Sequence, residues 1–298
     1  MKDILDGLKA QLKQGGMYIK LIYINVAVFI LMGIIHQLMI LMQSENQFNQ
    51  VTQFLYLNTA WDQFFLRPWT WFTSIFLHYN FGHLFSNMLL LFMIGGILEH
   101  FLGAKKVLSI YVLGGLAGGF LQVVAKHTFP LFSGKMDYSI LGASGAIIAI
   151  AVAAATYRPN FTVKLFGALE VKLIWIVGAL VLLDLMSMGE MGGVARFAHI
   201  GGALFGYIAA RLLLGGKDIT KWFDRWMVKL QNLLKRKPRS KMSVEYSKSR
   251  GEKPPRNDYD YNESKAEKQA KVDAILDKIK YKGYDGLSKA EKDYLSRQ

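Results

Sequence analysis

The stretch SILGASGAIIAIAVAAATYR, Ser139 to Arg158, places one hydroxyl, that of Ser144, near the start of an apolar run of membrane-crossing length. A helix needs about 20 residues to cross a hydrocarbon core of roughly 30 Å. Five further apolar blocks occur in the chain, whose residues are 52% hydrophobic. The sequence therefore predicts an all-α membrane protein with six spans, near 18–42, 81–101, 105–127, 138–157, 172–189 and 195–215.

Positive charge is unevenly distributed between these blocks. Lysines precede the first block, Lys105 and Lys106 separate the second and third, and Arg158 lies with two lysines between the fourth and fifth. The segment 217–298 holds 22 Lys or Arg against 13 Asp or Glu. With six spans all these segments lie on one side, and cationic loops stay in the cytoplasm. We expect both termini to be cytoplasmic and the first block to be a retained anchor.

The composition divides the chain into four parts. Residues 1–17 are predicted to form a cytoplasmic N-terminal segment, 18–216 a six-helix domain, 217–262 a basic and largely disordered linker, and 263–298 a small helical C-terminal module of the tail. The linker begins with a pattern typical of a helix at the membrane interface: Trp222, Phe223 and Trp226 with Lys221, Arg225 and Lys229. We expect this basic tail to contact anionic lipid and not nucleic acid.

The C-terminal module is predicted to be a helix–turn–helix. Its first helix is indicated by apolar periodicity through Val272, Ile275, Leu276 and Ile279. Gly283 is expected to end that helix. Ser288 and Glu291 form an S-x-x-E box that is expected to begin a second one.

The loop 43–80 is rich in aromatic residues, but Asp62, Arg67 and Pro68 interrupt it too often for a span. Its composition favours amphipathic helices that lie in the membrane interface. An ordinary folded cap on the outer face is the alternative. The sequence leaves both interpretations open, and they are compatible.

The candidate site residues are the few polar side chains inside the spans, because such groups are costly in a bilayer. They are Asn25, His36, His83, Ser86, Asn87, Ser144, Asp184 and His199. Asn25, His36 and Ser86 are assigned structural roles, as is His100. The chain contains no cysteine, which excludes disulfides, zinc–thiolate sites, iron–sulfur clusters and cysteine nucleophiles.

Four of these side chains are predicted to lie at one depth. Ser144 is about six residues into the fourth span and His199 about five into the sixth, which puts both less than roughly 10 Å below the outer surface. His83 and Asn87 lie at nearly the same depth in the second span. Small residues at helical spacing are expected to let the fourth and sixth spans approach closely: Gly142, Gly145, Gly202 and Gly206.

A serine in contact with a histidine is the minimal pairing of a nucleophile and a general base. A lone membrane serine is more often a packing residue, but the combination at matched depth favours catalysis by Ser144 and His199. His83, Asn87 and the Ser144 backbone N–H are then the expected oxyanion donors. The position of Asp184, near the outer end of the fifth span, allows a supporting role without establishing one.

Three motifs, in order on the second, fourth and sixth spans, resemble those of rhomboid intramembrane serine proteases: HYNFGHLFSNMLLLFMIGGILEH, LGASGAIIAI and AHIGGALFGY. The resemblance covers about residues 18–215 and implies a six-transmembrane-helix rhomboid-type bundle with an outward-opening, water-filled active site. It places the family's G-x-S-G nucleophile on Ser144, its A-H-x-x-G base on His199, and its H-x-x-x-N pair on His83 and Asn87. Because activity in this family rests on a Ser–His dyad without a required acid, it assigns no role to Asp184.

Two positions depart from the family pattern. The Trp-Arg pair of the first outer loop is replaced by Trp69-Thr70, with the nearest arginine at Arg67. The aromatic residue that follows the serine by four positions and stacks under the base is replaced by Ile148. The imidazole is then expected to be held by packing alone or by one of two aromatic side chains, Phe197 and Tyr207.

The resemblance implies an intramembrane serine endopeptidase of the bacterial inner membrane that cleaves transmembrane segments of other proteins near the outer membrane face. No metal or organic cofactor is expected. One alternative is a non-catalytic rhomboid-like chaperone that binds membrane clients. Another is a small-solute transporter, which would show inverted repeats that the sequence lacks. The sequence does not specify the oligomeric state.

Overall fold

The computed structural model describes residues 15–132, 136–165, 168–186, 196–234 and 258–295. It divides into two compact units, Met1–Arg236 and Lys237–Gln298, which are described separately. The helices of the first unit are α1 Met17–Leu41, α2 Glu45–Leu55, α3 Trp61–Leu66, α4 Thr70–Thr73, α5 Phe81–Leu102, α6 Ala104–Thr128, α7 Ser144–Tyr157, α8 Leu173–Met186, α9 Arg196–Leu214 and α10 Lys221–Leu234. Two short antiparallel strand pairs join β1 Leu57–Asn58 to β2 Ser139–Ile140, and β3 Thr162–Leu165 to β4 Leu169–Lys172.

Four helices in the described part of the chain are long and apolar enough to cross a membrane: α1, α5, α6 and α9. Helices α7 and α8 are also apolar, but each has 14 residues. Their length of about 21 Å is shorter than a hydrocarbon core of roughly 30 Å. The chain is thus an integral membrane protein whose predicted fourth and fifth spans are short helices, and the count of six crossings stays a prediction.

The predicted helical span from residue 138 is wrong at its first end, because α7 begins only at Ser144. The preceding strand β2 is extended and pairs with β1. Gly142 has a φ of 124°, a conformation that glycine adopts readily and that an α-helix excludes. Its N–H donates to the carbonyl of Ser74 at 2.9 Å, which fixes the turn. Ser144 is therefore the first residue of its helix and not about six residues into it.

Helix α7 lies at the centre of the bundle, against α5, α6 and α9. Nine of its 14 residues are buried, mostly alanines, so it packs on nearly all sides. A Cβ atom on Gly202 of α9 would overlap the carbonyl oxygen of Gly145, and one on Gly206 would overlap that of Ala149. These glycines let the backbones of α7 and α9 lie in direct contact.

The loop between α1 and α5 is a folded cap. Trp69 Nε1 donates to the Phe54 carbonyl at 2.8 Å, and the Arg67 guanidinium reaches the Gln53 carbonyl at 3.4 Å, so both side chains hold the end of α2. Thr70, where the family pattern has arginine, is buried and donates to the Arg67 carbonyl at 2.7 Å. Exposed aromatic side chains remain on the cap, as an interfacial position would also require: Trp61, Phe65 and Phe72.

Helix α10 follows α9 within the segment predicted to be a largely disordered linker. Lys106 of α6 donates to Asp218 at 2.5 Å and to Thr220 at 2.8 Å, and it also pairs with Asp224 of α10. Ion pairs shielded from water in this way attach α10 to the bundle. The helix predicted at the start of the linker is thus present as α10, while residues 235–257 lie outside the described residues.

The second unit is built from two helices joined by a 3₁₀ turn: α11 Asp258–Lys282, the turn Tyr284–Gly286 and α12 Lys289–Leu295. Gly283 follows α11 with a φ of 70° and ends it as predicted. The predicted box at the start of α12 is confirmed, since the Ser288 N–H and Oγ each donate to Glu291 Oε2 at 2.8 Å. The first helix begins at residue 258, within the segment predicted as linker.

Candidate functional site

Two side chains from different helices meet at the start of α7. Ser144 is the first residue of α7, and its Oγ lies 2.7 Å from Nε2 of His199, in the first turn of α9. The contact follows from packing, because His199 shares a face of α9 with Gly202 and Gly206, and these glycines lie against the α7 backbone. The structure thus brings together the two residues that the sequence predicts as nucleophile and base.

A carboxylate extends this contact into a chain of three side chains. Asp184, near the end of α8, places its Oδ2 2.8 Å from His199 Nδ1. Its Oδ1 accepts a hydrogen bond from Arg196 Nη1 at 3.2 Å. Sequence reasoning missed this contact: depth alone made Asp184 a candidate, but the ring nitrogen that it faces depends on how α8 and α9 cross.

The imidazole of His199 is held by Asp184 and not by the aromatic residues expected from the sequence. Phe197 packs on Phe129 and Phe132 instead, with ring centroids 5.1 and 6.0 Å apart. Tyr207 is half exposed. Asp184 of the adjacent helix α8 therefore gives the base a hydrogen-bonded support that the expectation of Phe197, Tyr207 or packing alone did not include.

Three potential donors surround the Ser144 hydroxyl. The His83 ring lies against Gly142, where an added Cβ would be 2.8 Å from its Cε1. Asn87, one turn further along α5, is buried, and its Nδ2 has no partner among the described residues. As the first residue of α7, Ser144 carries a backbone N–H without an intrahelical acceptor. The side chain of Asn80 caps α5 by accepting from the His83 backbone N–H at 2.8 Å.

One cavity of about 370 Å³ is lined by His83, Asn87, Ser144, Asp184 and His199. The cavity is also lined by aliphatic side chains, among them Leu141, Ile148, Ala151, Val177 and Leu180. Apolar walls with a few convergent polar groups are typical of binding sites. Ser86 also lines the cavity, but its Oγ donates to the Gly82 carbonyl of its own helix at 3.0 Å, the structural role predicted for it. Across the described residues, no three His, Asp or Glu side chains are arranged to hold a metal ion.

His78 is a second residue of this region that sequence reasoning missed. It precedes α5 and is buried, and its ring centroid lies 5.2 Å from that of His83. Burial, together with the neighbouring His83, lowers the pKa of His78 from 6.5 to about 4. The ring is therefore neutral near pH 7 and adds no positive charge beside the site. The only sequence signal was the spacing of the two histidines in HYNFGH.

A family model described as the Rhomboid domain matches residues 66–216, about half of the chain. This segment contains all six polar residues that line the cavity around Ser144. The chain belongs to the rhomboid family. In this rhomboid, α1 precedes the matched segment, and a separate model, a family of unknown function (DUF6576), matches residues 257–297 around α11 and α12.

Curated relatives agree with this assignment. The rhomboid protease AarA of Providencia stuartii is 32% identical over 151 residues, which are 46% of this chain and 53% of the relative. The rhomboid protease GlpG of Salmonella paratyphi A is 29% identical over 143 residues, 48% of this chain and 47% of the relative. The mitochondrial presenilin-associated rhomboid-like protein of Homo sapiens is 30% identical over 146 residues, which are 45% of this chain and 35% of the relative. The match spans about half the length of these bacterial relatives.

Proposed function

We propose that this rhomboid is an intramembrane serine endopeptidase that cleaves transmembrane segments of other membrane proteins near the outer membrane face. The observation that carries the proposal is the 2.7 Å distance between Ser144 Oγ and His199 Nε2. An imidazole at this distance can take the hydroxyl proton and make the serine nucleophilic. The buried Asn87 amide, whose Nδ2 has no partner among the described residues, supports the proposal, because a developing oxyanion needs such a donor.

In the proposed reaction, Ser144 Oγ attacks the carbonyl carbon of the scissile peptide bond while His199 Nε2 takes its proton. The Ser144 N–H, Asn87 Nδ2 and the His83 ring hold the oxyanion. His199 then gives the proton to the leaving amine, and water hydrolyses the acyl ester through the same groups. These steps need no metal or organic cofactor.

The short helix α7 supports cleavage close to the outer face. If its last residue lies at the inner boundary of the hydrocarbon core, its length of about 21 Å leaves Ser144 roughly 9 Å below the outer boundary. A substrate helix has to unwind at that depth, because its carbonyl groups are hydrogen-bonded within the helix. Small residues that weaken the helix are therefore expected at the cleaved bond.

This placement belongs to a proposed topology of six crossings, with both termini in the cytoplasm and the protein in a bacterial inner membrane. It is supported by the cationic segments around Lys105 and after Lys217. The chain has no cysteine, so single cysteines can report its orientation. A membrane-impermeant maleimide should label Gln47→Cys, in the first loop, but not Gln298→Cys in intact cells. The opposite result would reverse the topology.

Helix α10 is proposed to contact anionic lipid. Its exposed indoles, Trp222 and Trp226, lie next to the basic side chains of Arg225 and Lys229. Aromatic rings at headgroup depth beside cations are typical of interfacial helices. Quenching of these indoles by brominated phosphatidylglycerol, compared with the Trp222→Phe/Trp226→Phe variant, measures this contact, and equal quenching in both proteins would contradict it.

The catalytic proposal is tested with a model transmembrane substrate in liposomes. Ser144→Ala and His199→Ala are each expected to lower kcat by about 10³-fold or more, because nucleophile and base act as a unit. Ser86→Ala is the matched control, since it removes a hydroxyl from the same cavity that bonds only within α5. A fluorophosphonate should label Ser144 in the unaltered protein.

Retained cleavage in either active-site variant would contradict the mechanism. Binding of the substrate by the unaltered protein without cleavage, and without labelling of Ser144, would favour the non-catalytic client-binding alternative.

A further inference from the structure

The His199 ring bridges two side chains of different chemistry. Its Nδ1 lies 2.8 Å from Asp184 Oδ2, and its Nε2 lies 2.7 Å from Ser144 Oγ. A neutral imidazole carries a proton on one nitrogen and a lone pair on the other. An ionised carboxylate only accepts hydrogen bonds, so the Asp184 contact places the proton on Nδ1. The lone pair on Nε2 is then directed at the serine hydroxyl.

We propose that Asp184 is a positioning residue for hydrolysis, which orients the base of the Ser144–His199 dyad in this rhomboid. The inference rests on the proposed function and adds a third residue to the site. Asp184 does not touch the substrate. It fixes the tautomer and orientation of His199 and stabilises the imidazolium that forms when Ser144 gives up its proton. The proton stays on Nε2 until the leaving amine takes it, and the carboxylate keeps its charge.

The charges around the imidazole support this role. The Arg196 guanidinium lies 3.2 Å from Asp184, and its positive charge opposes the formation of an imidazolium nearby. Among the described residues that line the cavity, Asp184 supplies the negative charge. Its side chain is 15% exposed and that of His199 is 20% exposed, so water screens the pair only in part.

Arg196 fixes the orientation of the Asp184 carboxylate. It lies three residues before His199 on α9, so the two side chains leave the helix on one face. Its Nη1 donates a hydrogen bond to Asp184 Oδ1 at 3.2 Å, so that Oδ2 is the oxygen that faces the imidazole. A purely structural reading is that Asp184 and Arg196 only tie α8 to α9. That reading predicts an effect on stability alone, without an effect on the tautomer of His199 or on the reactivity of Ser144.

Asp184→Asn is the decisive substitution, because it keeps the shape and removes the charge. The amide N–H₂ can also turn toward Nδ1 and favour the wrong tautomer. We expect kcat to fall about 10²-fold, less than the roughly 10⁴-fold for a fully buried acid, with KM changed by less than about threefold. Asp184→Glu restores a carboxylate and is expected to recover kcat to within about tenfold of the unaltered protein.

Asp137→Asn is the matched control. Asp137 lies in the segment before β2, where its Oδ1 accepts from Thr59 Oγ1 at 3.1 Å. The same chemical change there is expected to leave kcat within about twofold.

Labelling of Ser144 separates positioning from a structural role. In Asp184→Asn the rate of labelling by a fluorophosphonate should fall with kcat, because the serine loses its oriented base. Unchanged kcat and an unchanged labelling rate would overturn the proposal.

The tautomer of His199 can also be measured with Asp184 in place. This test depends neither on the folding of an Asp184 variant nor on cleavage of a substrate. ¹⁵N-histidine NMR of the unaltered protein, with His199 assigned by its loss in His199→Gln, should show a neutral ring protonated on Nδ1. A ring protonated on Nε2 overturns the role of Asp184, whatever the activity. Failure of the proposed function looks different, because the unaltered protein would then neither cleave its substrate nor react at Ser144.

Discussion

The side-chain amide of Asn87 is buried, and its Nδ2 has no partner in the described part of the chain. Leaving such a donor unsatisfied costs about 1–3 kcal/mol, so a ligand that accepts its hydrogen bond gains that energy. The neighbouring Ser86 shows the opposite arrangement, since its hydroxyl already bonds the Gly82 carbonyl. Asn87 therefore has a donor available to a ligand, whereas the hydroxyl of the adjacent Ser86 bonds only within its own helix.

Asn87→Ala is accordingly expected to lower kcat by about 10²–10³-fold while KM changes little, because the oxyanion exists only in the transition state. Steady-state cleavage in liposomes measures both constants, with Ser86→Ala as the adjacent control. A rise in KM at constant kcat would show that Asn87 binds the substrate and does not hold the oxyanion.

The contact between α7 and α9 decides whether the two reactive side chains meet. An added Cβ at Gly202 would overlap the Gly145 carbonyl oxygen, which is backbone and cannot turn aside as a side chain would. A helix forced outward there carries His199 away from Ser144. The proposed activity therefore depends on Gly202, a residue without a side chain.

Gly202→Ala is expected to destabilise the bundle by about 1–3 kcal/mol and to slow fluorophosphonate labelling of Ser144 by about tenfold or more. Thermal unfolding in detergent and labelling kinetics measure the two effects. Gly33→Ala in α1 is the control, because nothing lies within 4 Å of the added Cβ. Normal labelling in Gly202→Ala would show that the approach of these helices does not set the geometry of the site.

At the level of the whole molecule, all the proposed catalytic groups lie within the unit Met1–Arg236. The second unit matches a separate family of unknown function and forms its own capped helix pair. The chain thus joins a rhomboid segment to a module whose chemistry is not required by the proposed reaction.

Deletion of residues 240–298 is therefore expected to leave kcat within about twofold, since no group of the site is lost. Cleavage in liposomes and the oligomeric state by light scattering should be measured on the same samples. A large fall in kcat would contradict the expectation and would assign the tail a part in the activity of the first unit.

Much of the architecture was readable from local sequence because its causes are local. Apolar blocks of span length predicted α1, α5, α6 and α9, and Gly283 with the Ser288 box predicted the ends of α11 and α12. The first residue of α7 was misplaced because Gly142 is fixed by a hydrogen bond to Ser74, which is distant in the chain. The helix α10 was predicted from its basic and aromatic residues, but local sequence gives no sign that Lys106 pairs with it.

By itself the sequence determined which chemical groups the bilayer has to accommodate, and at roughly what depth, because helix length and hydropathy fix both. Ser144, His199, His83 and Asn87 were identified in this way. Only the tertiary structure decided which groups touch. The crossing of α8 and α9 puts the Asp184 carboxylate next to the imidazole of His199, while Phe197 packs on Phe129. Contacts of 2.7–2.8 Å depend on helix packing, which periodicity does not encode.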